Sequence, residues 1–207
     1  MRPQSNFSKR PKTKKQSSSS AGEIRIIGGK FKGRRLKVHD KEGLRPTTDR
    51  LKETLFNWLM MDIRNAKVLD CFAGAGSLGF EAVSRGAESL VCIEKDRQAA
   101  SQLKANCGVL NADTQISVLQ GDFFAKAKQL SGPFDLVFID PPFHKGLAAL
   151  TITSLFNDGL VSENSIVYLE QEVSSDFDIA TSEFADRFEL LKEKKAGQVL
   201  AQLFRIV

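Results

Sequence analysis

Residues 67–94 read KVLDCFAGAGSLGFEAVSRGAESLVCIE, and their pattern decides the fold. KVLDC is a short apolar run closed by a carboxylate and a cysteine. A glycine-rich turn follows, then SLGFEAVSR with helical spacing, then SLVCIE as a second apolar run. Strand, turn, helix and strand in this order read as a βαβ unit with parallel strands.

The same alternation continues on the C-terminal side. The sequence predicts a helix from Asp96 to Cys107, a strand at ISVLQ, a short helix near residues 123–130, a strand at DLVFID, a helix from about 146 to 156 and a strand at SIVYLEQ. Continuous apolar strands separated by helices predict an α/β fold, a mostly parallel sheet covered on both faces. The end breaks the rhythm: RFELLKEKK, AG and QVLAQLFRIV read as two strands joined tightly, an antiparallel pair closing the sheet.

On the N-terminal side, RPTTDRLKETLFNWLM opens with turn and cap residues. It then sets Leu51, Leu55, Trp58 and Leu59 on one helical face, which predicts Trp58 in the core. Ahead of it, EIRIIGGKFKGRRLKV predicts two short strands about a hairpin turn at Gly28–Gly29, a ribbon that must lean on the body to be stable. The organisation expected is a disordered basic tail over residues 1–22, a basic β-hairpin extension over 23–45 and one α/β domain over 46–207.

Charge is unevenly spread along the 207 residues. Residues 1–20 hold six basic residues and no acid, residues 21–52 a further +6, and residues 53–207 carry −7 against a net +5. A basic end on an acidic body predicts a polyanion held by the N-terminal part, with nucleic acid the first candidate. No apolar run approaches the roughly 18 residues that span a bilayer, and the basic N-terminus leads into no apolar segment, so no membrane contact and a cytoplasmic location are expected. Cys71, Cys92 and Cys107 lack CxxC spacing and read as reduced core residues. No metal is implied.

Gly74-Ala75-Gly76-Ser77-Leu78-Gly79 fits GxGxxG between a strand and a helix. Such glycines let the backbone approach a ligand at the helix N-terminus, and Glu94, ending the next strand, can bind ribose hydroxyls. A nicotinamide dinucleotide and other adenosine cofactors fit this loop equally. Asp70 distinguishes them in part, because a carboxylate beside pyrophosphate adds like charge, whereas the sulfonium and ammonium of S-adenosylmethionine suit it. Capping of the loop is the alternative role for Asp70. Asp122, in GDFF after the third strand, can meet the adenine amine and Phe123 can pack on the ring; GD is also ordinary turn chemistry.

Residues 138–143 read FIDPPF, an apolar strand followed by a carboxylate, two prolines and an aromatic ring. Each proline fixes its own φ and biases its predecessor away from helix, so Asp140 and Pro141 are expected to be extended. The Asp140 carboxylate and the Pro141 carbonyl can then accept the two hydrogens of a planar NH2, with Pro142 rigidifying the loop and Phe143 offering a face to the attached base. His144 follows and reads as an exposed loop residue. Lys30, Lys32, Arg34 and Arg35 of the ribbon are the candidate phosphate contacts.

Taken together, IRIIGGKFKGRRL, LRPTTDRLKETLFNWL, LDCFAGAGSLGFEAVSRGA, IEKD and DPPF resemble, in order, the motifs of the bacterial 16S rRNA (guanine(966)-N2)-methyltransferase family among class I S-adenosylmethionine-dependent methyltransferases. The resemblance covers nearly everything after residue 22. It implies a Rossmann-like seven-stranded sheet with an N-terminal β extension, and a monomer acting on guanine in 16S rRNA of the small subunit or its assembly intermediate. By motif, Asp70, Phe72, Gly74, Gly76 and Glu94, with Asp122 and Phe123, fall at cofactor positions, and Asp140, Pro141, Pro142 and Phe143 at the amine site. Arg45, Pro46 and Thr47 match a segment that the family places near cofactor or substrate. The alternative is another planar amine, adenine N6 in DNA or a protein glutamine.

Overall fold

The structure is a computed structural model and describes residues 22–39 and 49–207. Residues 1–21 of the expected tail, and Arg45, Pro46 and Thr47, lie outside the described residues.

Nine strands and five α-helices follow in the order β1 Glu23–Arg25, β2 Arg35–Lys37, α1 Asp49–Trp58, β3 Lys67–Asp70, α2 Ser77–Ser84, β4 Ser89–Glu94, α3 Arg97–Leu110, β5 Ile116–Gln120, α4 Phe123–Ala127, β6 Leu136–Ile139, α5 Leu147–Asn157, β7 Ile166–Glu172, β8 Phe188–Ala196 and β9 Val199–Ile206 among the described residues. The sheet runs β5-β4-β3-β6-β7-β9-β8, parallel through its first five strands and antiparallel at β7/β9/β8. Strand order reverses between β3 and β6. In such a sheet the crevice beyond the carboxyl ends of those two strands is the ligand site, and the glycine loop and FIDPPF both empty into it.

The sheet separates two apolar layers. Val68, Phe138 and Tyr168 face a cluster with α1, α2 and α3, while Leu69, Ile139 and Leu169 face one with α4 and α5. Side chains alternate along each strand, so Asp70, Asp140 and Glu170 all point to the α1–α3 side. Cys71, Cys92 and Cys107 are buried and unpaired. Helix α3 ends three residues later than expected, where Asn111 takes the left-handed conformation at φ 52°. Trp58 is half-buried against the core rather than enclosed by it. No helix among the described residues is long and apolar enough to cross a membrane.

One element differs in kind. Gly28–Gly29 is not the hairpin turn: β1 and β2 pair Glu23 with Lys37 through Arg25 with Arg35, and residues 26–34 bulge out as a connection holding one 3-10 turn at Gly29–Phe31. The glycines are there for close approach. A β-carbon on Gly29, whose φ is +72°, would overlap the Ser84 backbone, and one on Gly28 would meet the Arg85 guanidinium at 2.5 Å.

The connection is thus clamped to α2. Ser77, Glu81 and Ser84 recur at helical spacing on that helix and are all buried. Glu81 accepts from the Ile27 N–H at 2.8 Å, and Ser84 accepts from the Phe31 N–H and donates to the Gly28 carbonyl. Buried Lys52 of α1 bridges Ser77 to the Arg25 carbonyl, donating to them at 3.3 and 2.6 Å. A cavity of about 300 Å³ lies beside this bridge, lined among others by Arg25, Arg35, Asp49 and Lys52.

Candidate active site

The glycine loop is built by β3 and α2. Gly74 and Gly76 take φ +52° and +78°, and Gly76 caps α2 in the left-handed region. A β-carbon on Gly76 would stand 2.5 Å from the Phe80 ring and 2.6 Å from Leu103. Only glycine fits both constraints. Gly76→Ala is therefore expected to destabilise the protein by about 1–3 kcal/mol in denaturant unfolding, with cofactor affinity lowered as the loop shifts. A variant as stable as the parent would remove the packing argument.

Glu94 ends β4 with its carboxylate folded back on the loop, accepting from the Gly74 N–H at 2.8 Å through Oε2 and from the Asp96 N–H at 2.7 Å through Oε1. Each oxygen retains a second lone pair for a ribose hydroxyl. Asp70 lies beneath the loop, 2% exposed, with the Phe72 and Gly79 N–H groups facing its carboxylate. Burial, reinforced by the Glu94 charge, lifts its pKa to about 7 against the pull of those two N–H groups. Through those two N–H groups it braces the loop.

Phe72 and Phe123 meet in a tilted contact, ring centres 5.5 Å apart, and Phe123 is buried. Asp122 caps α4 through the Phe124 N–H and pairs with Lys95 at 3.0 Å. A ligand amine would share that carboxylate with the lysine.

Asp140 stands at the end of β6. Asp70 pairs with Phe138 and Ile139 with Leu169, so Asp140 and Glu170 follow side by side on neighbouring strands. Tyr168 donates to Glu170 at 2.8 Å, and Glu170 is 5% exposed. Burial first, then the Glu170 and Asp70 charges, push the Asp140 carboxyl well above the usual carboxylate range. Burial likewise raises Glu170 against the Tyr168 hydrogen bond. Pro141 is buried, Pro142 exposed, and the Phe143 ring is 37% exposed at the mouth of the crevice. Glu170 and Tyr168 escaped the sequence reading because only strand register brings them beside Asp140; a carboxylate inside an apolar strand was the one available signal.

Of the ribbon cations, Lys32 and Arg34 are exposed. Lys30 donates to Gln115 at 2.8 Å, and Arg35 pairs with Glu23 at 3.3 Å. His144 is exposed, as expected.

The donor set suits a cation and an adenosine: a helix N-terminus for close backbone approach, carboxylates at Asp70 and Glu94, and, among the described residues, no cluster of basic side chains at the loop for pyrophosphate. Sheet order, switch point and loop together define a class I methyltransferase, as do the solved structures that share the fold. The yhhF structure from Escherichia coli superposes with a TM-score of 0.80 at 42% identity over 89% of this chain and 98% of its own. The tRNA m1G37 methyltransferase of M. jannaschii, at 22% identity and a TM-score of 0.63 over 90% of this chain and 58% of its own, shares the fold. Residues 24–205 match the family described as "Conserved hypothetical protein 95", and the chain belongs to that family. Its relatives include "Ribosomal RNA small subunit methyltransferase D" of Escherichia coli K12, 43% identical over 93% of this chain and 94% of the relative, and the protein of that name from Haemophilus influenzae, 44% identical over 92% and 97%.

Proposed function

We propose that the chain transfers a methyl group from S-adenosylmethionine to the exocyclic N2 amine of guanine 966 in 16S rRNA, acting as a monomer on the small subunit or its assembly intermediate in the cytoplasm. The carrying observation is the placement of Asp140-Pro141-Pro142-Phe143 directly across the strand-order reversal from the Gly74–Gly79 loop. Relatives named for methylation of small-subunit rRNA support the substrate.

An exocyclic amine is a poor nucleophile because its lone pair is delocalised into the base. S-adenosylmethionine, when bound, supplies an electrophilic methyl on a sulfonium. Asp140 and the Pro141 carbonyl accept the two N–H hydrogens and turn the lone pair toward that methyl, and Phe143 holds the base by its exposed ring. Methyl transfer would develop positive charge on the amine nitrogen, which the Asp140 carboxylate is placed to stabilise. One N–H proton passes to Asp140 and then to solvent, leaving a neutral secondary amine. Asp140 must be ionised for this, and its raised pKa predicts an activity that climbs with pH above the ordinary carboxylate range.

Labelled S-adenosylmethionine with small subunits lacking the modification, followed by digestion to nucleosides, tests the reading. Label is expected in N2-methylguanosine. Label confined to DNA or protein would move the substrate to another planar amine.

The ribbon cations are assigned to backbone phosphates. Neutralising Lys30, Lys32, Arg34 and Arg35 together is expected to weaken RNA binding and to flatten its logarithmic salt dependence by about 0.7 for each phosphate that is no longer neutralised, while cofactor affinity stays unchanged. An unaltered salt slope would take the ribbon out of the interface.

A further inference from the structure

The loop that carries Asp140 and Phe143 is fastened at its far end by a single carboxylate. His144 takes φ +59°, a left-handed conformation that a β-carbon disfavours, and it does so immediately after the aromatic ring of the amine site. Glu172, the last residue of β7, reaches it. Its Oε1 accepts from the His144 backbone N–H at 2.6 Å and lies 3.1 Å from Nδ1 of the same residue. Glu172 is itself anchored, because it pairs with Val199 of β9 and its side chain is 16% exposed against 84% for His144. The exposed end of the turn is thus held against the sheet by the Glu172 carboxylate.

We infer that Glu172 is a positioning residue of methyl transfer, which holds His144 in the left-handed conformation and thereby sets where the Phe143 ring meets the flipped base. The inference rests on reading Asp140–Phe143 as the amine site. Without the carboxylate, His144 relaxes toward right-handed backbone, and the turn reverses direction one residue after the ring. The ring then leaves the line joining the base to the cofactor loop. Glu172 meets the loop at the His144 N–H and Nδ1, one residue beyond the ring, so its loss acts through the geometry of the loop.

The test compares Glu172→Ala, Glu172→Gln and the double variant Glu172→Ala/His144→Gly, with Asp140→Ala beside them, in methyl transfer to unmodified small subunits at saturating cofactor. Glu172→Ala is expected to lower kcat by about tenfold or more, since misplacing a reacting group by about an ångström is worth up to about 100-fold, with cofactor Kd and melting temperature unchanged. Glu172→Gln, which keeps the Oε1 acceptor, is expected to retain most of the rate. Glycine adopts positive φ freely, so the double variant is expected to recover a large part of what Glu172→Ala loses. A merely structural glutamate would give no such rescue. Near-parental kcat in Glu172→Ala, or a double variant no faster than the single, overturns the inference. If Asp140→Ala is inactive in either case, the reading of the amine site stands without it; if Asp140→Ala is active, that reading itself fails.

Discussion

Asp140→Ala is expected to lower the methyl-transfer rate by about 10²- to 10³-fold while cofactor affinity stays within a few-fold of the parent. That magnitude is what removal of one preorganised group facing a developing charge costs in a water-poor site. The carboxylate is half-buried beside the buried acids Asp70 and Glu170, where solvent screening is reduced. Asp140→Asn separates two contributions: the amide oxygen still accepts one amine hydrogen, but it neither balances positive charge on nitrogen nor takes the proton. Its rate is expected to fall almost as far as that of the alanine variant, and the residual activity should lose the rise with pH. Single-turnover measurements from pH 5 to 9 check this. An asparagine variant with parental rate would mean that the carboxylate only orients the base.

The second large effect concerns stability. Asp70 has a folded-state pKa of about 7 against an ordinary value of 3.8. Between those values the folded protein binds a proton there that the unfolded chain has released, so stability must fall as pH rises. The stabilising contribution is complete below about pH 4 and gone above about pH 7, and at 1.36 kcal/mol per unit the span amounts to about 4 kcal/mol. Asp140 and Glu170, also raised, add in the same direction. The cofactor-free protein should thus be less stable at pH 8 than at pH 5.

Asp70→Asn is expected to remove Asp70's own share of that slope and to raise stability at pH 8 by up to about 4 kcal/mol, since the amide oxygen still meets the Phe72 and Gly79 N–H groups. The same substitution should weaken S-adenosylmethionine binding, because the carboxylate's field is what the sulfonium and ammonium meet. In the parent, cofactor affinity should increase with pH by up to about tenfold per unit below 7, the reciprocal of the same linkage. Urea unfolding and calorimetric binding across pH check both halves. Parallel stability curves for parent and variant would mean that Asp70 is not the titrating group.

What the sequence revealed was local. The strands from Lys67 to Gln171 could be read because each buried strand is a continuous apolar run and each helix has its own period. FIDPPF could be read because prolines restrict their own neighbourhood. Gly74–Gly79 suggested a ligand loop, and Asp70 argued for a cationic ligand by charge alone. Gly28–Gly29 misled because a glycine pair has two uses: local chemistry shows the turn, and only the fold shows the packing of backbone against Ser84. Glu81, Ser84 and Lys52 lay on predicted helices yet passed as ordinary polar residues, since the ribbon groups they bind are 27 or more positions away. The same holds for Glu170 and Glu172. Their roles come from neighbouring strands and loops, and register is not written in either strand alone.

The polar stripe Ser77–Glu81–Ser84 has one more consequence. The helix that begins at the cofactor loop is also the bed on which the basic ribbon lies, fixed at its two ends and its middle. Ribbon and loop therefore share one support, which fixes the span between the ribbon cations and the Gly74–Gly79 loop. With the ribbon cations on phosphates, as proposed, the enzyme would work as a calliper, accepting an RNA when one of its bases projects at that span from a backbone already gripped.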